Sequence, residues 1–289
     1  MTPKPIFYNM NLFSWQSSST HVTIMARDWH PSVSPKAVVA LVHGLGEHSG
    51  RYQHVADYFN QLGIAITALD NYGHGKSGGK RGHIPKYENY MALMLEFLDQ
   101  TRQRYPNLPV FLYGHSMGGN LVLNYVLRRQ LPDLAGVIAT GPAIKPGFEP
   151  PKLIVTLGKL TRKIFPSFTQ SNQLDVTGIS RDKAVVEAYQ NDPLVHDRLS
   201  SETGIGILEW GDWLYNNAHT TPVPLLLLHG TKDRLTSPAA SQHFFEQLKG
   251  DVTFRLWDGL YHELHNEPEQ AEVLGYIAQW MEQKLNKGK

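Results

Sequence analysis

A mostly parallel β-sheet flanked by helices, with one long insertion between two of its strands, is the architecture this sequence predicts. Three observations carry the prediction: continuous apolar runs bounded by glycine recur along the chain, segments of helical spacing separate them, and the stretch 142–221 breaks the rhythm. Runs without polar alternation suit strands buried on both faces, and their alternation with helices is the pattern of an α/β sheet.

In chain order, alternating stretches at Tyr8 to Trp15 and His21 to Asp28, split by the polar run Gln16 to Thr20, predict an antiparallel hairpin. Buried strands are predicted at Ala37 to Val42, Ile64 to Leu69, Val110 to Tyr113, Leu134 to Ala139 and Val223 to Leu228, with a shorter alternating one at Val252 to Trp257. Between Lys86 and Arg104, Tyr87, Tyr90, Met91, Met94, Leu95 and Leu98 recur at helical spacing, and a last helix spans Pro268 to Leu285. Residues 142–221 carry prolines at 142, 146, 150, 151, 166 and 193 with only short helical patterns. That is far too long for an ordinary connection, so 1–141 and 222–289 are expected to form one core and 142–221 an inserted cap.

Composition narrows the function. Lys plus Arg number 27 against 26 Asp plus Glu, so no bulk charge draws the chain to nucleic acid. With no cysteine at all, disulfides, thiolate metal sites and cysteine nucleophiles are excluded together. Met1 to Leu12 has neither a signal-like apolar run nor a span, and no stretch approaches the ~20 apolar residues a membrane helix needs, so a cytoplasmic protein is expected. Oligomeric state is not legible.

The chemistry is concentrated in three places. Val110 to Tyr113 leads into Gly114-His115-Ser116-Met117-Gly118 and then an apolar helical pattern. This is strand, Gly-x-Ser-x-Gly, helix: a sharp turn that exposes a serine oxygen, with glycines where the backbones crowd. Ser116 is the candidate nucleophile. Attack on a carbonyl creates an oxyanion that needs two preorganised donors, one after the nucleophile and one in the loop after an earlier strand. The backbone N–H groups of Met117 and of Leu45, in His43-Gly44-Leu45-Gly46, fill these places. Downstream, strands end in Thr231-Lys232-Asp233 and in Asp258-Gly259-Leu260-Tyr261-His262, so an acid and a histidine follow the serine in the order a triad on this scaffold requires. His262 would take and return the serine proton while Asp233 orients it. Asp258 and His265 are the rivals for the two roles.

Two motifs mislead. Gly73-His74-Gly75-Lys76-Ser77-Gly78 imitates a dinucleotide loop, but Gly79, Gly82 and Pro85 follow where a helix should open. His262 and His265 resemble a zinc pair without a third ligand at sensible spacing. No metal or cofactor is called for.

The chain resembles the monoglyceride lipase and lysophospholipase-like branch of the α/β-hydrolases. The resemblance rests on His43-Gly44-Leu45-Gly46-Glu47-His48-Ser49-Gly50-Arg51-Tyr52, Asp70-Asn71-Tyr72-Gly73-His74-Gly75-Lys76-Ser77, Gly114-His115-Ser116-Met117-Gly118-Gly119 and Tyr261-His262-Glu263-Leu264-His265. It implies an α/β-hydrolase fold and hydrolysis of one acyl chain from glycerol or a similar alcohol, with the chain housed beneath a cap. It also implies that Glu47, Arg51 and His265 lie near the alcohol. Leu45 stands where family members often carry a smaller residue, which bears on pocket shape. An aminopeptidase, an acyltransferase or a lysophospholipase on the same scaffold is the alternative, since fold and triad do not choose the substrate; an aminopeptidase would gather carboxylates in the cap to hold a free amine.

In the insertion, Leu153, Ile154, Leu157, Leu160 and Ile164 fall on one helical face with Lys152, Lys159, Arg162 and Lys163 elsewhere. Such a helix either packs its apolar face on the fold or rests on a membrane surface, so transient membrane contact through the cap is a second expectation.

Overall fold

The computed structural model describes residues 9–129 and 133–287. An eight-stranded sheet forms the centre, in spatial order β1 (Asn9–Gln16), β2 (Thr23–His30), β4 (Ile64–Leu69), β3 (Ala37–Val42), β5 (Val110–His115), β6 (Gly136–Thr140), β9 (Leu225–Gly230) and β10 (Val252–Trp257). β1 and β2 are antiparallel to their neighbours, and every pairing from β4 to β10 is parallel. The hairpin is therefore present, its first strand ending one residue and its second lying two residues further along the chain than expected; Tyr8 lies outside the described residues.

The unalternating runs follow from burial on both faces. In β3, Val38, Ala40 and Val42 join one core layer, and Ala37, Val39 and Leu41 join the other. The first layer packs under α2 (Asn89–Arg104), α3 (Met117–Arg129) and α7 (Pro238–Gln247), through side chains such as Phe97, Leu121 and Phe244. The second packs under α1 (Gln53–Gln61) and α8 (Gln270–Lys287), through Phe59, Ile277 and Trp280. Each such side chain contributes about 1.5–3 kcal/mol by leaving water. Two covered faces leave the loops at the strands' carboxyl ends as the place for chemistry.

Between β6 and β9 the insertion folds into α4 (Lys152–Ile164), β7 (Thr169–Ser171), α5 (Lys183–Asn191), β8 (Arg198–Ser200) and α6 (Ser201–Asn216), with β7 and β8 paired antiparallel. α6 is a full 16-residue helix, where the sequence suggests only short ones. Gly204, Gly206 and Gly211 depress its helical propensity, but packing requires two of them. A Cβ at Gly206 would lie 2.4 Å from the Tyr87 ring, and one at Gly211 2.2 Å from the Ile144 carbonyl oxygen. Tertiary fit thus overrides local preference, and Trp210 and Leu214 anchor α6 in the first core layer. α4 is its opposite: none of its residues is buried, and Leu153 is 69% exposed.

Among the described residues no helix is long and apolar enough to cross a membrane.

Candidate active site

Ser116 stands between β5 and α3 with φ +55°, a left-handed conformation that costs a non-glycine residue roughly 1–2 kcal/mol. Its surroundings hold it there. The Ser116 N–H donates to the Thr140 carbonyl at 3.0 Å, and its own carbonyl accepts from Asn120 N–H and Ala143 N–H, both at 3.0 Å. The flanking glycines are sterically required: a Cβ at Gly114 would lie 2.3 Å from the Gly118 oxygen, and one at Gly118 2.1 Å from the Val42 oxygen.

Beside it, the Leu45 and Met117 N–H groups donate to no protein acceptor among the described residues. Met117 opens α3, so its free N–H sits at the positive end of a helix. Gly44 is pinned on both sides. Its N–H donates to Glu47 Oε1 at 2.7 Å, and its carbonyl lies 2.7 Å from His43 Nδ1. His43 Nε2 accepts from Asn71 N–H at 2.9 Å, which assigns the ring proton to Nδ1. The Gly44 carbonyl is thereby held, and the Leu45 N–H of the same peptide faces the other way.

Asp233, in the loop after β9, has a fully buried carboxylate. Oδ1 accepts from Leu235 N–H at 2.8 Å and Thr236 N–H at 3.0 Å. Oδ2 accepts from His262 Nδ1 at 2.7 Å, the Thr236 hydroxyl at 2.8 Å and His229 Nε2 at 3.0 Å. Burial would raise its pKa, but His262, His229 and these donors hold it well below the usual carboxylate value. For His262 the balance is reversed: burial lowers, and the Asp233 carboxylate raises it above the ordinary histidine value. Nδ1 carries the proton toward Asp233, and Nε2 is left as a base.

The rivals are placed elsewhere. Asp258 is exposed, with a contact to the Thr231 hydroxyl at 3.1 Å. His265 is buried with both ring nitrogens unpartnered, stacked on Tyr52 at 4.7 Å, and burial drives its pKa down to about 3. His115, 4.7 Å from the His262 ring, is likewise held neutral, chiefly by burial and then by the neighbouring His262 and His265 rings. Two further residues, His229 and Thr236, are not among those the sequence singles out. Both fasten Asp233, and the signal was available: His229 lies one residue before the end of β9 and four before the acid.

Leu45, Ser116, Met117 and His262 line one cavity of ≈ 510 Å³ beneath α4 and α6, whose other walls include Ile154, Leu157, Ile205 and Leu208. No carboxylate is among its lining residues. Glu47, Arg51 and His265 are not on its wall. They lie behind the loop that follows β3, where Arg51 bridges Glu47 Oε2 at 2.6 Å and both oxygens of Glu263 at 2.7 Å. The dinucleotide-like loop also finds a structural use. Asp70 fills it, accepting from Lys76 N–H at 2.8 Å and Ser49 N–H at 2.9 Å, so a carboxylate occupies the place a phosphate would take. Among the described residues no group of three or more metal-ligating side chains is assembled.

This geometry has relatives. A family model described as serine aminopeptidase, S33, matches residues 33–269. The chain is 36% identical over 262 residues to a monoacylglycerol lipase of Mycolicibacterium smegmatis, covering 90% of this chain and 93% of that one. It is 39% identical over 274 residues to an uncharacterized abhydrolase domain-containing protein of Dictyostelium discoideum, covering 94% of this chain but 29% of the other's length. Among solved structures, the monoacylglycerol lipase of Paleococcus ferrophilus is 33% identical with a TM-score of 0.81, over 96% of this chain and 99% of that one.

Proposed function

Because the chain belongs to the monoglyceride lipase branch of the α/β-hydrolases, within the serine aminopeptidase S33 family, we propose that it cleaves monoacylglycerols and similar single-chain acyl esters through an acyl-enzyme. The observation that carries this reading is the convergence of Ser116, His262 and two unpaired backbone donors on one carboxylate-free apolar cavity. The acyl chain lies along the apolar walls, and its carbonyl oxygen points at the Leu45 and Met117 N–H groups. His262 Nε2 takes the Ser116 proton as the oxygen attacks, and the two donors bind the oxyanion. The imidazolium, held against Asp233, then protonates the leaving alcohol. Water, deprotonated by the same histidine, releases the acid and restores Ser116.

An aminopeptidase would hold a free amine with a carboxylate. Glu202 and Glu209 of α6 are instead paired with Arg162, at 2.8 Å and 2.5 Å. The test is a panel of monoacylglycerols, graded nitrophenyl esters, a lysophospholipid and an amino-acid arylamide. Turnover of the monoacylglycerols with little on the arylamide is expected; turnover of the arylamide alone would move the function to a peptidase.

The insertion acts as the cap in this reading, and α4 is its contact with the lipid surface. Leu153, Leu157, Leu160, Ile164 and Phe165 are exposed there, and Lys152, Lys159 and Lys163 complement anionic headgroups. Leu153→Ser with Leu160→Ser should weaken co-sedimentation with anionic phosphatidylglycerol vesicles several-fold while leaving hydrolysis of a short soluble ester unchanged. Equal sedimentation would remove the membrane from the account.

A further inference from the structure

Three charged side chains are buried between the oxyanion loop and the histidine loop: those of Glu47, Arg51 and Glu263 are 3%, 9% and 4% exposed. Burying ions costs several kcal/mol each unless the geometry is good and the remaining lone pairs are satisfied. Here they are satisfied. Glu47 Oε1 accepts from Gly44 N–H at 2.7 Å and the Tyr52 hydroxyl at 2.8 Å, and its Oε2 accepts from Arg51. Glu263 takes a bidentate pair from Arg51 and a further hydrogen bond from the Asn266 amide at 2.7 Å. Planar fork-to-fork pairing fixes orientation as well as distance. Glu263 directly follows His262, and Glu47 lies two residues beyond Leu45, so the guanidinium joins the two loops whose separation sets the site. The Tyr189 ring of α5, 4.7 Å from the guanidinium carbon, closes the network on the side of the insertion.

We propose that Glu263 is a positioning residue: through Arg51 and Glu47 it holds the loop bearing the Leu45 N–H in register with the loop bearing His262. The inference rests on the serine-hydrolase reading of the site. Oxyanion stabilisation and proton transfer each demand placement to a fraction of an ångström, and the two loops come from opposite ends of the chain. The shared guanidinium joins them directly through charge-assisted hydrogen bonds of 2.6–2.7 Å.

The charge of Glu263 also acts on His262. That imidazole faces Asp233 from the loop after β9, Glu47 from the oxyanion loop, His115 from β5, and Glu263 and His265 from its own loop. His115 and His265 are held neutral, so the field on it is set by carboxylates, and removing one favours the uncharged ring.

The test is Glu263→Gln, which keeps the side chain's shape, measured on a soluble nitrophenyl ester with melting temperature followed in parallel. Loss of register predicts kcat lowered about 10- to 100-fold with KM changed far less. The acid limb of kcat/KM should move to lower pH. Arg51→Lys, which keeps the charge but not the fork, should lower kcat in the same way, and serves alone if Glu263→Gln does not fold. A lowered melting temperature with unchanged kcat and unchanged acid limb would make the network merely structural and overturn the proposal. Ser116→Ala measured alongside separates the two readings. Activity that survives it refutes the serine-hydrolase mechanism, whereas Ser116-dependent activity indifferent to Glu263→Gln and Arg51→Lys refutes this inference alone.

Discussion

Replacing Ser116 with alanine lowers kcat on a monoacylglycerol by on the order of 10⁴ to 10⁶, leaving the residual rate that oxyanion binding and substrate positioning provide without a nucleophile. The substitution is clean because alanine meets the same backbone demand as serine at φ +55° and keeps the three backbone hydrogen bonds of the turn. The loss therefore reports the hydroxyl and not the fold. Labelling by a fluorophosphonate probe should vanish with it, and the melting temperature should stay near that of the parent. Near-normal turnover would remove Ser116 from the mechanism.

Asp233→Asn is expected to lower kcat by about 10⁴ at neutral pH, and the hydrogen bonds around the carboxylate say why. Oδ1 accepts from two backbone N–H groups that cannot turn away, so an asparagine must place its oxygen there. Its amide nitrogen then occupies the Oδ2 position, facing His262 Nδ1 at 2.7 Å. Two donors would confront one another unless His262 shifts its proton to Nε2, where it can no longer accept from Ser116. Asp258→Asn, on an exposed side chain, should change kcat little. The opposite pair of results would reassign the acid. The wild-type pH profile carries the same information. His262 must be neutral to act as a base and Asp233 raises its pKa, so kcat/KM should fall as pH drops through a value above 6.5. In Glu263→Gln the fall should begin lower.

Much of this was legible from residues alone, for identifiable reasons. β3 and β4 appear with the bounds read from the sequence because they are buried on both faces along their whole length, and β10 does so as a half-exposed alternating strand at the sheet edge. The loops that meet at the site were legible because strand, turn and helix succeed one another there in a fixed order. α6 was obscured by Gly206 and Gly211, whose reason lies in Tyr87 and Ile144, distant in sequence. The polar cluster Glu47, Arg51 and His265 was visible as residues but not as a place. Its position behind the loop depends on Glu263, whose pairing with Arg51 joins segments 212 positions apart. Short-range patterns encode which face of an element is apolar; they do not encode which charges will share a guanidinium across the molecule.

The left-handed backbone at Ser116 has a bearing on how such chains diverge. The conformation favours glycine, yet the chemistry demands a side chain with a hydroxyl, so folding and turnover select opposite residues at one position. A lineage released from the need for hydrolysis would meet no folding barrier to losing its serine, since glycine there relaxes the turn. Backbone geometry alone therefore gives no reason to keep a side chain at this position, and Ser116→Gly is expected to be tolerated by the fold while abolishing hydrolysis.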